Sequence, residues 1–399
     1  METLPARVVV TPTYRTRTSR LDTWLRLGWG VLLLTAGTAC RSTTGPKGER
    51  PGSAIWVAPP GASSQPVADD SAVYFTTSAH GVVSVARSTG RERWSASTHA
   101  TTSMLYSWNS VVAGDVLAVS DYDVYGFDRA TGALRWQFDP AALGLPGYGP
   151  GALGISTDGR YIYTGSASGH AYGIDAESGK AVWYIVIAND GNSSVFQPVI
   201  DDSMLYVRVT HFGNPNAGDL VALERATGAI RWSRSFVPSG TSGSDLSGVA
   251  VLGGLIFVSV ADGTIRAVSK TSTSEVWVAP RLPSLTARDD LRTLIVADDV
   301  LVATSTTDNV TGYDPTTGQT LWQTDAGEGS SDNPLATDGR FVYVIYVNGV
   351  LGSLDARTGA VRWVAHSPTQ EWFGYVPFPF ATVDAVYAPS VSGLVALRP

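Results

Sequence analysis

The chain has 399 residues, 44% of them hydrophobic and 16% charged, with a net charge of −7. This apolar content excludes an intrinsically disordered protein, and the acidic balance, which repels phosphate backbones, argues against a nucleic-acid partner. A single cysteine excludes an internal disulfide.

Residues 1–40 read differently from the rest. Arg7, Arg15, Arg17, Arg20 and Arg26 precede a short apolar run at 27–36, which ends in Gly37-Thr38-Ala39-Cys40. A basic flank, an apolar segment too short to span a bilayer alone and small residues after it predict a signal peptide. The last four residues resemble a bacterial lipobox, in which the cysteine is lipidated and becomes the new N-terminus; Gly37 stands where that motif usually has Leu. Lipidation of Cys40 is the expectation, with plain cleavage and an uncleaved anchor as alternatives. Arg41 follows, where aspartate would resemble an inner-membrane retention signal. The expected location is therefore the bacterial cell envelope, lipid-anchored at the outer membrane and facing the periplasm. Five arginines leave with residues 1–40 against Glu2 and Asp22, so the mature chain goes from −7 to −10. Residues 41–53 hold no apolar residue larger than proline and predict a flexible tether.

From Ala54 onward the chain repeats itself. A hydroxyl residue and glycine lead, four places on, to tryptophan: Thr89-Gly90 to Trp94, Thr131-Gly132 to Trp136, Ser178-Gly179 to Trp183. Thr227-Gly228 with Trp232, Thr317-Gly318 with Trp322 and Thr358-Gly359 with Trp363 continue the series. One copy, Ser272-Thr273 before Trp277, lacks the glycine. Nine residues before each tryptophan stands an apolar anchor: Val85, Phe127, Ile174, Leu223, Val268, Tyr313 and Leu354. A spacing of 41 to 49 residues between tryptophans is that of a radial repeat in which each copy is one small sheet.

Each copy predicts four strands. The first carries a polar-Pro-apolar pattern, as in Gln65-Pro66-Val67, Gln197-Pro198-Val199, Asn333-Pro334-Leu335 and Phe378-Pro379-Phe380, with Asn109-Ser110-Val111 a weaker version. Proline suits an innermost edge strand. Tight turns follow, among them Asp69-Asp70, Asp158-Gly159, Asp298-Asp299 and Asp338-Gly339, before an apolar second strand such as Tyr161-Ile162-Tyr163. The third strand has a small residue just before its anchor (Gly126, Gly173, Ala222, Ala267, Gly312, Ser353), a floor for a large neighbouring side chain. The Thr-Gly turn then gives φ > 0 without a Cβ penalty, and the outer strand carries the tryptophan. Burying each tryptophan between blades, at roughly 150–250 Å² and about 25 cal/mol per Å², is worth several kcal/mol.

Seven tryptophans end seven blades. Residues 392–399 read as the third strand of an eighth, with Leu397 at the anchor position, and Ala54-Ile55-Trp56-Val57 supplies its outer strand. The prediction is an all-β, monomeric, eight-bladed propeller of four-stranded antiparallel blades over residues 54–399. Trp56, Trp94, Trp136, Trp183, Trp232, Trp277, Trp322 and Trp363 dock its blades, and the N-terminal strand closes the ring. Seven blades with a free N-terminal strand is the alternative.

The Asp-x-x-(Thr/Ser)-Gly-x-x-x-Trp pattern, plain at 128–136, 175–183, 314–322 and 355–363, resembles the repeat of the quinoprotein (PQQ-like) propellers along the whole of residues 54–399. The resemblance implies the fold, and two branches of the family imply different functions. In the quinoprotein alcohol dehydrogenases, pyrroloquinoline quinone and calcium sit in the channel under a vicinal disulfide, with carboxylate ligands on long insertions. This chain has near-minimal blades and no cysteine pair. Its histidines (His80, His99, His170, His211, His366) show no metal-ligand spacing and read as surface-loop residues. No catalytic, cofactor-binding or metal-binding residue is therefore assigned.

The second branch is the BamB lipoproteins, propeller subunits of the machinery that assembles outer-membrane β-barrels. Size, blade number, lipobox and tether all look similar. That resemblance implies a non-enzymatic scaffold with a protein partner at the envelope, docked through loops joining consecutive blades. The corresponding loop here is 281–292, with Arg288, Asp289, Asp290 and Arg292; the loop at 238–248 lacks the Leu-x-Leu-Arg stretch of that branch. A binding module for a small molecule or cell-surface glycan is the alternative. The loop at 371–378 concentrates Trp372, Phe373 and Tyr375, which suits a pore cap or a binding surface, and residues 143–150 form a second apolar, glycine-rich loop. The long turn at 210–218 is expected on the opposite side, as a solvated loop.

Overall fold

The computed structural model describes residues 50–77, 81–98, 107–145, 152–212, 217–236, 246–280, 291–305, 309–325, 335–346, 349–368, 378–390 and 392–399. Eight antiparallel sheets succeed one another along the chain and form an eight-bladed β-propeller. Blades 1 to 7 span residues 67–97, 107–138, 152–186, 193–236, 246–279, 291–325 and 335–365. Blade 8 combines Phe380–Thr382, Ala385–Pro389 and Leu394–Leu397 with Ala54–Ala58 from the other end of the chain. First strands of neighbouring blades approach one another and so line the inside of the ring.

Blade 4 departs from the expected four strands. Pro198 has no N–H to give the ladder, and its inner strand is split into Ser193–Val195 and Val199–Asp201, both paired with Met204–His211. Arg208 fills the break, its guanidinium 3.6 Å from the Phe196 ring centroid.

The polar residues of the first-strand motif brace one blade to the next. Asn109 donates from Nδ2 to the Ile155 carbonyl at 2.7 Å and accepts from the Ile155 N–H at 2.9 Å. Gln197 donates to the same carbonyl from the other side at 3.0 Å. Short strands here leave backbone groups that the amides satisfy.

Each blade is built on one transverse row of side chains. The small third-strand residue pairs directly with its own blade's tryptophan, as Gly126 with Trp136, Gly173 with Trp183 and Ala396 with Trp56. A Cβ on Gly126 would lie 2.1 Å from the Trp136 ring. In most blades the tryptophan reaches across that floor to an aromatic of the second strand, as Tyr74 with Trp94, Tyr163 with Trp183 and Tyr206 with Trp232, at ring centroids 6.0 Å apart; blades 2 and 6 have Ala118 and Val302 there. The other side of the indole covers the Thr-Gly turn of the following blade, so that Gly228 (φ 71°) lies under Trp183 and Gly132 (φ 76°) under Trp94. The indole Nε1 then donates to the carbonyl two residues past the anchor in that next blade. Trp56 bonds Arg87, Trp94 bonds Arg129, Trp183 bonds Arg225 and Trp322 bonds Ala356, at 2.8–3.0 Å.

The closing junction reuses this geometry with different chain. Trp56 pairs with Ala396, and Val57 and Ala58 with Val395 and Leu394. No Thr-Gly turn exists in blade 8, and Gly52, at φ 76°, takes its place under Trp363. The Gly52 N–H donates to the Arg398 carbonyl, and the Arg398 N–H to that of Ser53, both at 3.0 Å. Residues 52 and 53, the last of the stretch expected as a tether, are thus hydrogen-bonded to the last strand, with a left-handed glycine beneath Trp363. Its Nε1 is buried with no hydrogen-bond partner among the described residues.

Candidate functional site

In a four-stranded meander the 1–2 and 3–4 turns share one face of the ring, and the 2–3 turns share the other with the segments that join blades. These two faces carry different electrostatics.

On the first face, the residue two past the anchor is often a cation that reaches back to the 1–2 turn of the preceding blade. Arg129 lies 3.1 Å from Asp69, Arg225 3.4 Å from Asp158 and Lys270 2.5 Å from Asp201, while Arg87 pairs with Asp384. Arg357, one residue later in its turn, pairs with Asp298 at 2.6 Å. The aspartates also organise their own turns. Asp158 Oδ1 accepts from the Arg160 and Tyr161 N–H groups, and Oδ2 accepts from the Tyr163 hydroxyl at 2.9 Å. Burial opposes ionisation of Asp158, but these donors and Arg225 hold its carboxyl below the usual range. This face is neutralised by its own framework.

The segments that join blades are acidic in sequence. The segments joining blades (59–66, 98–106, 139–151, 187–198, 237–245, 280–290, 326–334 and 366–379) contain eight carboxylates and two arginines. The 2–3 turns add more. In blade 2, Asp121 and Asp123 flank Tyr122, whose φ of 62° makes the turn so tight that both carboxylates stay buried. Asp121 Oδ2 accepts from Thr98 at 2.5 Å, and Asp123 Oδ2 from Gln137 Nε2 at 2.8 Å. Burial, and then the charges of Asp139 and Asp121, push Asp123 up to about 6 although Gln137 opposes the shift. Because its folded value exceeds the unfolded one, ionisation costs stability. The penalty is absent below about pH 4 and complete above about pH 6. Asp123→Asn is expected to raise stability at pH 7.5 by on the order of 2 kcal/mol, with no gain at pH 4. Urea midpoints at the two pH values check this, and an equal effect at both would disprove the ionisation penalty.

Blade 4 contributes a hydrogen-bonded chain to the same face. Ser193 Oγ lies 2.7 Å from Asp190 Oδ2 and 2.7 Å from His211 Nδ1, and His211 Nε2 lies 2.9 Å from Asp219 Oδ2. The order Ser-His-Asp looks like a nucleophilic triad, but Ser193 is buried at 2% exposure and a second carboxylate already claims its hydroxyl. Its hydroxyl is committed to these contacts, which does not suit a nucleophile. Two expectations are corrected here. The turn at 210–218 joins the second and third strands of blade 4, which places it on the inter-blade face. Nor are all the histidines surface-loop residues: His170 is buried in blade 3 with Nδ1 2.9 Å from Ser168 Oγ, and burial lowers its pKa. The sequence signal missed was the pairing of Ser193 opposite His211 across the split inner strand.

Arg288, Asp289, Asp290, Trp372, Phe373 and Tyr375 lie outside the described residues, as does Cys40. Arg292 is in the first strand of blade 6, Leu291–Ala297, and its side chain is outside the described set. Phe380, at the inner strand of blade 8, stacks on Tyr387 with centroids 6.4 Å apart. Among the described residues no group of three or more His, Cys, Asp or Glu is placed to hold a metal ion, and no helix is long and apolar enough to cross a membrane.

A family model described as "Outer membrane protein assembly factor BamB" matches residues 46–213 and 192–397. The chain is 26% identical to the outer membrane protein assembly factor BamB of Yersinia pestis over 60% of its own length and 61% of that protein. It is also 22% identical to the tetrathionate hydrolase of Acidithiobacillus ferrooxidans, over 66% of this chain but 45% of the hydrolase. Among solved structures, BamB from Moraxella catarrhalis superposes with a TM-score of 0.62 at 18% identity, covering 84% of this chain and 93% of that one, a likeness of fold.

Proposed function

This chain belongs to the outer membrane protein assembly factor BamB family, and from that premise we propose that it is a non-enzymatic, lipid-tethered scaffold that docks a protein partner through its inter-blade face. The carrying observation is the asymmetry of charge. Five cross-blade ion pairs neutralise one face, whereas the joining segments of the other hold eight carboxylates against two arginines. Framework strands are committed to blade packing, so recognition falls to loops held on a rigid ring. An acidic face orients and steers a basic partner surface, and Trp372 and Tyr375 are of the residue types that anchor interfaces.

The test is crosslinking and recovery of partner from membranes with the full chain. Asp289→Ala with Asp290→Ala, and separately Trp372→Ala with Tyr375→Ala, are each expected to cut recovery about tenfold, the loss of one or two hot-spot residues. Unchanged recovery by both folded double variants defeats the docking proposal. Cys40→Ser is expected to move the protein from the membrane to the soluble fraction. If that variant still fractionates with membranes, the lipid is not its anchor.

A further inference from the structure

Asp190, Ser193, His211 and Asp219 come from two segments of separate origin on the inter-blade face. Asp190 belongs to the segment that joins blade 3 to blade 4, Ser193 opens the split inner strand of blade 4, and His211 and Asp219 belong to that blade's long hairpin. Backbone contacts already bring the two together, since Ser193 pairs with His211 and the Phe212 N–H donates to the Asn192 carbonyl at 2.8 Å.

Counting hydrogens assigns the protonation state that completes the chain. A serine hydroxyl has one hydrogen to donate and an ionised carboxylate none. Asp190 Oδ2, 2.7 Å from Ser193 Oγ, needs that hydrogen. His211 Nδ1, also 2.7 Å from Ser193 Oγ, must then donate to it. Asp219 Oδ2, 2.9 Å from His211 Nε2, requires a hydrogen on that nitrogen too. All three contacts are hydrogen bonds only when the imidazole carries both protons. With one proton it can serve Asp219 while accepting from Ser193, and Asp190 then faces an oxygen lone pair at hydrogen-bond distance.

We infer that these four residues form a protonation-dependent clasp fastening the blade 3–blade 4 segment to the blade 4 hairpin. Asp190 and Asp219 are the charged groups facing the imidazole among the described residues, from its two sides. The Ser193 hydroxyl, then the Asn192 N–H, hold Asp190 below the ordinary carboxylate range. The clasp is complete when the imidazole carries both protons and loses one hydrogen bond when one of them leaves, so raising the pH can only loosen it. It rests on blade 4 and the segment leading into it, and stands whether or not this face docks a partner.

Amide hydrogen exchange of residues 189–196 in the full chain, corrected for intrinsic rates, tests the clasp. Protection in the native protein is expected to be about fivefold higher at pH 5.5 than at pH 8, the equivalent of one net hydrogen bond. His211→Gln should abolish this pH dependence. Asp190→Asn, which removes the charge from a half-exposed side chain, should reduce it while leaving the overall melting transition in place. A pH-independent protection in the native protein, or a pH dependence that survives His211→Gln, overturns the inference.

Discussion

Deleting residues 50–58 is expected to lower the melting midpoint of the propeller by roughly 5–10 °C, while deleting residues 41–49 leaves it within about one degree. The larger effect is built from Trp56, which is 8% exposed, lies tilted against Tyr387 with ring centroids 5.9 Å apart and bonds the Arg87 carbonyl. Its burial is worth about 4–6 kcal/mol at ~25 cal/mol per Å². An unfolding entropy near 2.1 cal/mol/K per residue over a domain of roughly 350 residues converts about 5 kcal/mol into ~7 °C. Gly52 leaves with the same deletion and exposes Trp363 on the far side of the junction. The blade would also be left with an open third strand, Leu394–Leu397, whose edge groups lose their partners. Calorimetry of the two truncations checks this, and a 50–58 deletion melting with full-length protein would show that the ring does not depend on its N-terminal strand.

The residues whose roles were legible in the sequence are those that repeat. Tryptophan, anchor and turn glycine recur in fixed spacing because every junction solves the same packing problem. The closing strand was legible because Leu397 has no tryptophan after it and Trp56 has no turn before it. Gly52 was not, since a lone glycine in a polar run has no signature; only the position of Trp363 gives it a purpose. The carbonyl acceptors of the indoles were also hidden, because any residue has a carbonyl and Arg87, Ala176 and Pro315 share no side-chain chemistry. The inter-blade face was the least legible part. Its groups, Asp121 with Thr98 and Ser193 with His211, come from loops that do not repeat, so no periodicity announces which of them meet.

The worn turn of blade 5 lets the repeat test itself. Gly228 and Thr273 occupy equivalent places, five residues past their anchors, and both are left-handed, at φ 71° and 57°. A β-branched residue in that region is an outlier, with a cost of about 1–2 kcal/mol. Trp232 packs against the blade 5 cluster across this junction and stays partly exposed, as Trp136 over Gly179 and Trp277 over Gly318 also do, while Trp183 over Gly228 is buried at 9%. A Cβ on Gly228 would stand 2.4 Å from the Trp183 ring, closer than any carbon contact allows, so the indole must move off its Arg225 bond. Gly228→Thr is therefore expected to cost about 3–5 kcal/mol, combining backbone strain with partial loss of a buried tryptophan. Thr273→Gly should do the reverse on a smaller scale, a gain of about 0.5–1 kcal/mol, because relief of the left-handed strain is partly offset by the greater freedom of glycine in the unfolded chain. Denaturant midpoints of the two variants measure both. Equal and small effects of either sign would mean that the turn glycine serves only the turn; a large loss at 228 beside a gain at 273 means that it serves the tryptophan of the blade before it.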